Sequence, residues 1–247
     1  MNPFFFGTAE RRLFGIYEPA AVGTACKRAA ILCYPWGAEY IYAHRAVRRL
    51  ALRLSSAGFH TLRFDYYGTG DSSGESTDID LEGWEADLET AIEELIEITG
   101  LTELTLIGLR LGAVIAAGVA ARHCGKIEAL VLWDPVVSGY EYLAQLGVAP
   151  GARPPVTAQG FPLTERMLQA LSVLDLSALI LKSHARSLMI ITERLPSHVL
   201  MAPLTAGPET ESLAIEFLAD ARPWLEDSVS SGVVPLSAIQ RILNWLE

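Results

Sequence analysis

One segment restricts the folds open to this chain more than any other. Residues 103–124, ELTLIGLRLGAVIAAGVAARHC, read as a short apolar strand, a five-residue turn Gly108-Leu109-Arg110-Leu111-Gly112, and a helix of small residues. A strand that turns sharply into a helix, with glycines on both sides of the turn, is the setting in which a G-x-S-x-G nucleophile elbow is recognised. Here Arg110 stands at the central position. The frame for an exposed nucleophile is present and the nucleophile is not, so the site has to be read around a guanidinium.

The flanking sequence alternates between the two apolar periods. Phe4–Phe6 and Arg12–Tyr17 read as two short antiparallel strands about Gly7. Ala29–Tyr34 is a continuous apolar run ended by Pro35, which suits a central strand covered on both faces. Ala43, Val47, Leu50, Ala51 and Leu54 recur at helical spacing, and Gly58 is the stop. His60–Asp65 is the next strand, followed by the glycine-rich loop Tyr66–Gly74. Asp80 is positioned to N-cap a helix with the stripe Leu81, Trp84, Leu88, Ala91, Ile92 and Leu95, ending at Gly100.

Ile127–Trp133, Ser187–Thr192 and Ser212–Leu218 are further strands, and Ser237–Leu246 a closing helix. This alternation predicts a mostly parallel sheet with helices on both faces. Residues 138–185 break the rhythm with Pro150, Pro154, Pro155, Gly160 and Pro162, then a helical stretch Leu163–Leu181. They are expected to form a small cap over the sheet's C-terminal edge.

With 247 residues and 51% apolar composition, the chain can fill one α/β core, so 1–247 is read as a single domain. A net charge of −10 argues against nucleic acid or an anionic membrane as the main partner. The locally basic face Arg45, Arg48, Arg49 and Arg53 is read as solvated. Three scattered cysteines make neither a disulfide framework nor a metal site, and no metal or cofactor is expected. The N-terminal segment has no signal-peptide pattern, and Arg110 interrupts the longest apolar tract, so a cytoplasmic protein without a membrane span is expected.

Five segments carry a family resemblance: FFFGTAERRLFGIYEP (4–19), YPWGAEYIYAHRAVRRLA (34–51), AGFHTLRFDYYGTGDSSG (57–74), LIGLRLGA (106–113) and LVLWDPVVSGYEYLAQL (130–146). Through them the chain resembles the α/β-hydrolase superfamily over nearly its whole length. More narrowly, it is similar to bacterial serine-aminopeptidase-like or exosortase-system-associated hydrolases, a branch that likewise carries arginine at the elbow. The resemblance implies an eight-stranded sheet and a triad in the order nucleophile, acid, histidine, with the histidine on the loop after the last strand.

That histidine is missing here. The five histidines are His44, His60, His123, His184 and His198, so Ala219–Trp224 beyond the last strand holds no imidazole. His198 falls after the seventh strand, where the acid belongs, behind Glu193 and Arg194. A second G-x-S-x-G, Gly70-Asp71-Ser72-Ser73-Gly74, has no helix directly after it and reads as a structural turn beginning at Asp65. The glycines at 68, 70 and 74 are spaced one residue too widely for a dinucleotide loop.

The strand order implied by the resemblance puts the elbow between strand tips bearing Glu39 and Asp134. A partly buried arginine there is expected to pair with one or both. Three roles follow. In one, Arg110 fills the nucleophile space, pins the strand tips, and the cleft of a silent pseudo-hydrolase binds a ligand or scaffolds a partner. In the second, Arg110 and its helix N-terminus hold an anionic or carbonyl oxygen, and Glu39, Asp134 or His44 moves a proton. The N–H of Leu111 and one from the Trp36–Ala38 loop, including Gly37, would complete an oxyanion site, with Trp36 and Tyr67 as pocket wall. In the third, Cys33 or Ser138 serves as an unrecognised nucleophile.

The leading expectation is a hydrolase-like protein with a degenerate triad, handling a small acyl or carbonyl compound non-covalently in a bacterial biosynthetic pathway. An acyl carrier or biosynthetic enzyme is the kind of partner expected. An open, polar-floored cavity above Arg110 would favour chemistry; a cleft plugged near Phe161 and Leu163 would favour the scaffold.

Overall fold

The continuous apolar runs become the middle of the sheet. The computed structural model describes residues 1–23, 28–123, 125–149, 151–192, 213–220, 222–226 and 234–247. Its first half contains β1 (Asn2–Gly7), β2 (Arg12–Glu18), β3 (Arg28–Cys33), α1 (Ala38–Ser56), β4 (Phe59–Phe64), α2 (Leu81–Thr99), β5 (Leu104–Leu109), α3 (Leu111–Arg122) and β6 (Ile127–Trp133). After these come α4 (Gly139–Gln145), β7 (Val156–Ala158), β8 (Phe161–Leu163), α5 (Glu165–Ser172), α6 (Leu176–Ile180), β9 (Arg186–Ile191), β10 (Leu213–Phe217) and α7 (Leu236–Leu246).

Eight strands form one sheet in the order β1-β2-β4-β3-β5-β6-β9-β10. At one edge β2 runs antiparallel to both its neighbours, β1 and β4, and the remaining neighbours are parallel. Every residue of β5 is buried, as a strand covered on both faces requires. α1 packs beside α7 and α2 beside α3. This is the α/β-hydrolase fold, and β5 lies between β3 and β6 as expected. Among the described residues no helix is long and apolar enough to cross a membrane.

The helix signals work through their caps. The Asp80 carboxylate accepts from the Gly83 N–H at 2.6 Å, and Gly100 closes α2 in the left-handed conformation at φ 71°.

Between β6 and β9 the single helical stretch expected over 163–181 is corrected to two short helices. Thr164 caps α5 by accepting from the Met167 N–H, and Asp175 caps α6 by accepting from the Ser177 N–H. Each oxygen satisfies an orphan N–H of a helix first turn, so a new helix starts where a continuous one would have run through. The β7–β8 hairpin was not anticipated. Its turn, Gln159-Gly160, has positive φ at both residues, the primed geometry that joins tight hairpins.

Candidate active site

The strand–helix turn is fixed by close backbone approach. A side chain at Gly108 would collide with the backbone of Ala113, and one at Gly112 with the carbonyl of Cys33, so α3 seats against β5 and β3 only with glycine at both positions. Between them Arg110 takes φ 54° and ψ −120°, a conformation that side-chain-bearing residues rarely adopt. Its N–H donates to Trp133 O at 3.1 Å, and its carbonyl accepts from the N–H groups of Ala113 and Val136. These bonds hold the strained residue and lift its side chain over the edge of the sheet.

The guanidinium is held on three sides. Nε donates to Glu39 Oε1 at 2.9 Å, Nη1 to the Asp134 carbonyl at 3.3 Å, and Nη2 to Gln145 Oε1 at 2.9 Å. Its carbon lies 5.5 Å from the Tyr142 ring centre and 5.4 Å from that of Trp224. Glu39 Oε2 accepts from the Tyr142 hydroxyl at 3.1 Å, so both its oxygens are engaged. Burial pushes the Glu39 carboxyl above its ordinary range, opposed by Arg110 and Tyr142. Burial works against the charge of Arg110, but Glu39, Tyr142 and Asp134 together outweigh it and the guanidinium stays protonated.

The expected pairing is therefore with Glu39. Asp134 contributes its backbone carbonyl, while its carboxylate turns towards β9, where Oδ1 accepts from the N–H and hydroxyl of Thr192 at 2.7 and 3.1 Å. The backbone explains the split, because Asp134 stands at φ 41° and its N–H donates to Ile190 O. Asp134 Oδ2 is buried with no hydrogen-bond partner among the described residues. Burial raises this carboxyl to about 7, against the pull of Thr192 and Arg110.

A cavity of about 400 Å³ opens over these groups, with Glu39, Arg110, Asp134, Gln145, Arg222 and Trp224 in its lining. Its floor is polar and ionic. Phe161 of β8 covers a different place. Its ring meets Trp36 edge-on at 6.2 Å and would touch a side chain at Gly37, so Phe161 covers the β3–α1 loop and is not part of the cavity lining.

Several residues singled out from sequence lie elsewhere. His44 stacks on Tyr34 at 5.9 Å and meets Tyr40 edge-on, outside the cavity lining. It lies on the face of α1 that carries Tyr40, i to i+4, whereas Glu39 is on the face turned to Arg110. Trp36 is buried under Phe161 rather than lining the cavity, and Tyr67 lies beneath the Arg11 guanidinium at 4.2 Å. Leu111 is fully buried, backbone included, and lies outside the cavity lining, although its N–H in the first turn of α3 has no intrahelical acceptor.

Of the alternative nucleophiles, Cys33 is buried and burial pushes its thiol up to about 12. Ser138 caps α4 through the Glu141 N–H. Cys26, Cys124, Glu193, Arg194 and His198 lie outside the described residues. Among the described residues no three His, Cys, Asp or Glu side chains gather as a metal site would need.

Ser72 ties the glycine-rich loop to β2: its hydroxyl donates to Asp65 O at 2.5 Å and accepts from the Phe14 N–H at 2.8 Å. Ser72→Ala should cost about 1–2 kcal/mol in urea unfolding and leave ligand binding at the cavity unchanged. Activity lost without a stability loss would make Ser72 a nucleophile after all.

The sequence reading missed Tyr142, Gln145, Thr192, Arg222 and Trp224. Tyr142 and Gln145 stand at i and i+3 just after Asp134-Pro135, a spacing that puts both on one helix face. Trp224 follows the last strand, the loop from which the fold's histidine is expected.

The family model described as Hydrolase_4, serine aminopeptidase, S33, matches residues 39–209. Among solved structures, Est1E from Butyrivibrio proteoclasticus with ferulic acid bound superposes with TM-score 0.74 at 16% identity, covering 97% of each chain. Proline iminopeptidase from Mycobacterium smegmatis superposes at 0.72 with 10% identity, covering 99% of this chain and 97% of its own. An alpha-beta serine hydrolase homologue from Coxiella burnetii superposes at 0.64 with 17% identity, over 100% and 97%. At such identities the likeness is one of fold. No curated protein matches.

Proposed function

The chain belongs to the serine aminopeptidase S33 family, and from that premise we propose that it works without the family's covalent step, holding a small acyl or carbonyl compound in the cavity over Arg110. The observation that carries this reading is the cavity itself: Glu39, Arg110, Asp134 and Gln145 line it beside apolar groups, it is built on the strand–helix turn, and a guanidinium fills the position of an attacking hydroxyl. In this reading the triad is degenerate. Arg110 closes the nucleophile position, and Trp224 stands against it from the loop that would carry the histidine.

The chemistry assigned to the site is proton transfer beside a stabilised oxygen. Donors on the Arg110 guanidinium, which lines the cavity, hold the carbonyl or carboxylate oxygen of the ligand. Of the carboxylates considered, Glu39 is committed on both oxygens, whereas Asp134 keeps one without a partner among the described residues and titrates near neutrality. Asp134 is therefore the proton carrier, acting on a water or on the ligand. A bacterial biosynthetic pathway, in the cytoplasm and with an acyl carrier or neighbouring enzyme as partner, is the setting of this reading.

One observation favours the silent alternative. Phe161 roofs Trp36 and Gly37, where a second oxyanion N–H would be needed. Native mass spectrometry of the protein as purified, with Arg110→Met and Asp134→Asn variants, separates the two. The expected result is a small acyl or carbonyl compound retained one to one, lost from Arg110→Met, and accumulating unchanged in Asp134→Asn. A ligand held identically by wild type and Asp134→Asn, with no product formed, would select the silent binder. Brisk ester turnover blocked by stoichiometric fluorophosphonate labelling would sink both.

A further inference from the structure

Away from the cavity, the outward face of α1 carries one sign of charge. Arg45, Arg48, Arg49, Leu52 and Arg53 fall at i, i+3, i+4, i+7 and i+8, one continuous stripe opposite the buried Ala43, Val47, Leu50 and Leu54. All five are exposed. Between Glu39 and Asp65 the sequence contains no Asp or Glu, in a chain whose net charge is −10.

Such a face works against its own helix. Like charges three and four apart destabilise it, and surface helices ordinarily intersperse the two signs. Arg45–Arg49, Arg49–Arg53 and Arg45–Arg48 all have that spacing. Arg48, Arg49 and Arg53 have no carboxylate partner among the described residues.

Beside the stripe runs a groove of about 460 Å³ between α1 and the start of α7. Its lining combines the aliphatic Leu52, Val234 and Leu236 with Arg45, Arg48 and Arg49. Leu52 and Leu236 are exposed, so the apolar strip is open to a partner. An aliphatic strip edged by guanidiniums matches the two faces of an amphipathic helix whose polar side is acidic. From Arg45 to Arg53 the face is two turns long, about 12 Å, the length over which one partner helix can lie.

We infer that this groove docks an acidic amphipathic helix of a partner protein. Its apolar side chains rest on Leu52, Val234 and Leu236, and its carboxylates take the planar forks of the arginines, a geometry arginine satisfies better than lysine. The rest of the surface, acidic in sum, repels an acidic partner elsewhere and so selects this face. The first turn of the same helix carries Glu39 in the cavity, so a partner bound here grips the element whose first turn holds Arg110.

The test uses the full chain and a defined probe, a synthetic helical peptide of about 16 residues with leucines on one face and glutamates on the other. Controls are the same peptide with lysine for glutamate, phosphatidylserine vesicles and a short DNA duplex. By fluorescence anisotropy the glutamate peptide should bind and the lysine peptide should not. The affinity should fall about tenfold in Arg48→Glu/Arg49→Glu, and also in Leu52→Asp or at high salt. Thermal unfolding should confirm that the variants fold, because every substituted position is exposed; Arg53→Glu alone provides a milder check. No binding by the glutamate peptide, or binding indifferent to Arg48→Glu/Arg49→Glu, overturns the inference. So does tighter binding of the vesicles or the duplex through the same arginines.

Discussion

Arg110→Ala should destabilise the protein by about 3 kcal/mol, because the substitution strands a buried carboxylate. Glu39 and Arg110 have side-chain exposures of 9% and 13% and meet at 2.9 Å. With the guanidinium gone, Glu39 keeps only the Tyr142 hydroxyl, and burial, already the leading influence on its carboxyl, meets no opposing cation from Arg110. The carboxyl then titrates higher still in the folded state. A carboxyl whose folded pKa is raised contributes stability at low pH and loses it as pH rises through the folded value. The deficit of Arg110→Ala should therefore be smallest at acid pH and grow as pH rises.

Replacing both partners, as Arg110→Met with Glu39→Leu, should recover most of the loss, since a buried ion pair is often no more stabilising than apolar groups of its shape. Urea unfolding of the two single variants and the double variant at three pH values reads all of this. A loss below about 0.5 kcal/mol for Arg110→Ala would reject the pairing.

How much of this was legible in the sequence follows from which interactions are local. Asp80 caps α2 and Gly100 ends it because both act within a few residues of their own position, and the periodic stripes of α1 and α2 need no tertiary knowledge. The turn about Arg110 was equally plain, since both flanking glycines answer to contacts repeated wherever a strand turns into a helix at this angle. The division of labour between Glu39 and Asp134 was not. It depends on a positive φ at Asp134, which swings the carboxylate to Thr192, fifty-eight residues away in the chain. Tyr142 and Gln145 reach Arg110 from the short helix α4 and Trp224 from the loop after β10, segments too short for an apolar period to give register. His44 was assigned by its neighbourhood in sequence. A five-residue offset from Glu39 turns it well round the helix, and stacking on Tyr34 holds it there.

Asp134→Asn should stabilise the protein at alkaline pH while abolishing proton transfer, and the two effects have one cause. Asp134 is buried, and burial outweighs the hydrogen bonds from Thr192 and the nearby Arg110 and Arg222 to bring its carboxyl to about 7. In an unfolded chain the same group releases its proton near pH 4. Between those values the folded state holds a proton that the unfolded state does not, so stability falls as pH rises through the window and flattens above it. For this group alone the fall from pH 5 to pH 8 amounts to about 2.5 kcal/mol.

Asparagine keeps an acceptor for the Thr192 N–H and hydroxyl and carries no charge to bury. The difference between wild type and Asp134→Asn, measured by urea unfolding across pH, cancels every other titrating group and isolates this one. The variant should gain on wild type steadily from pH 5 to 8. A flat difference would mean that Asp134 is ionised throughout, and the cavity would lose its proton carrier. A residue that weakens the fold at the pH where it is deprotonated, beside a cavity and a fixed cation, is what the proposed proton carrier requires. Glu39, with both oxygens satisfied, should show no comparable gain on substitution by glutamine, because the partner it would abandon is the buried charge of Arg110.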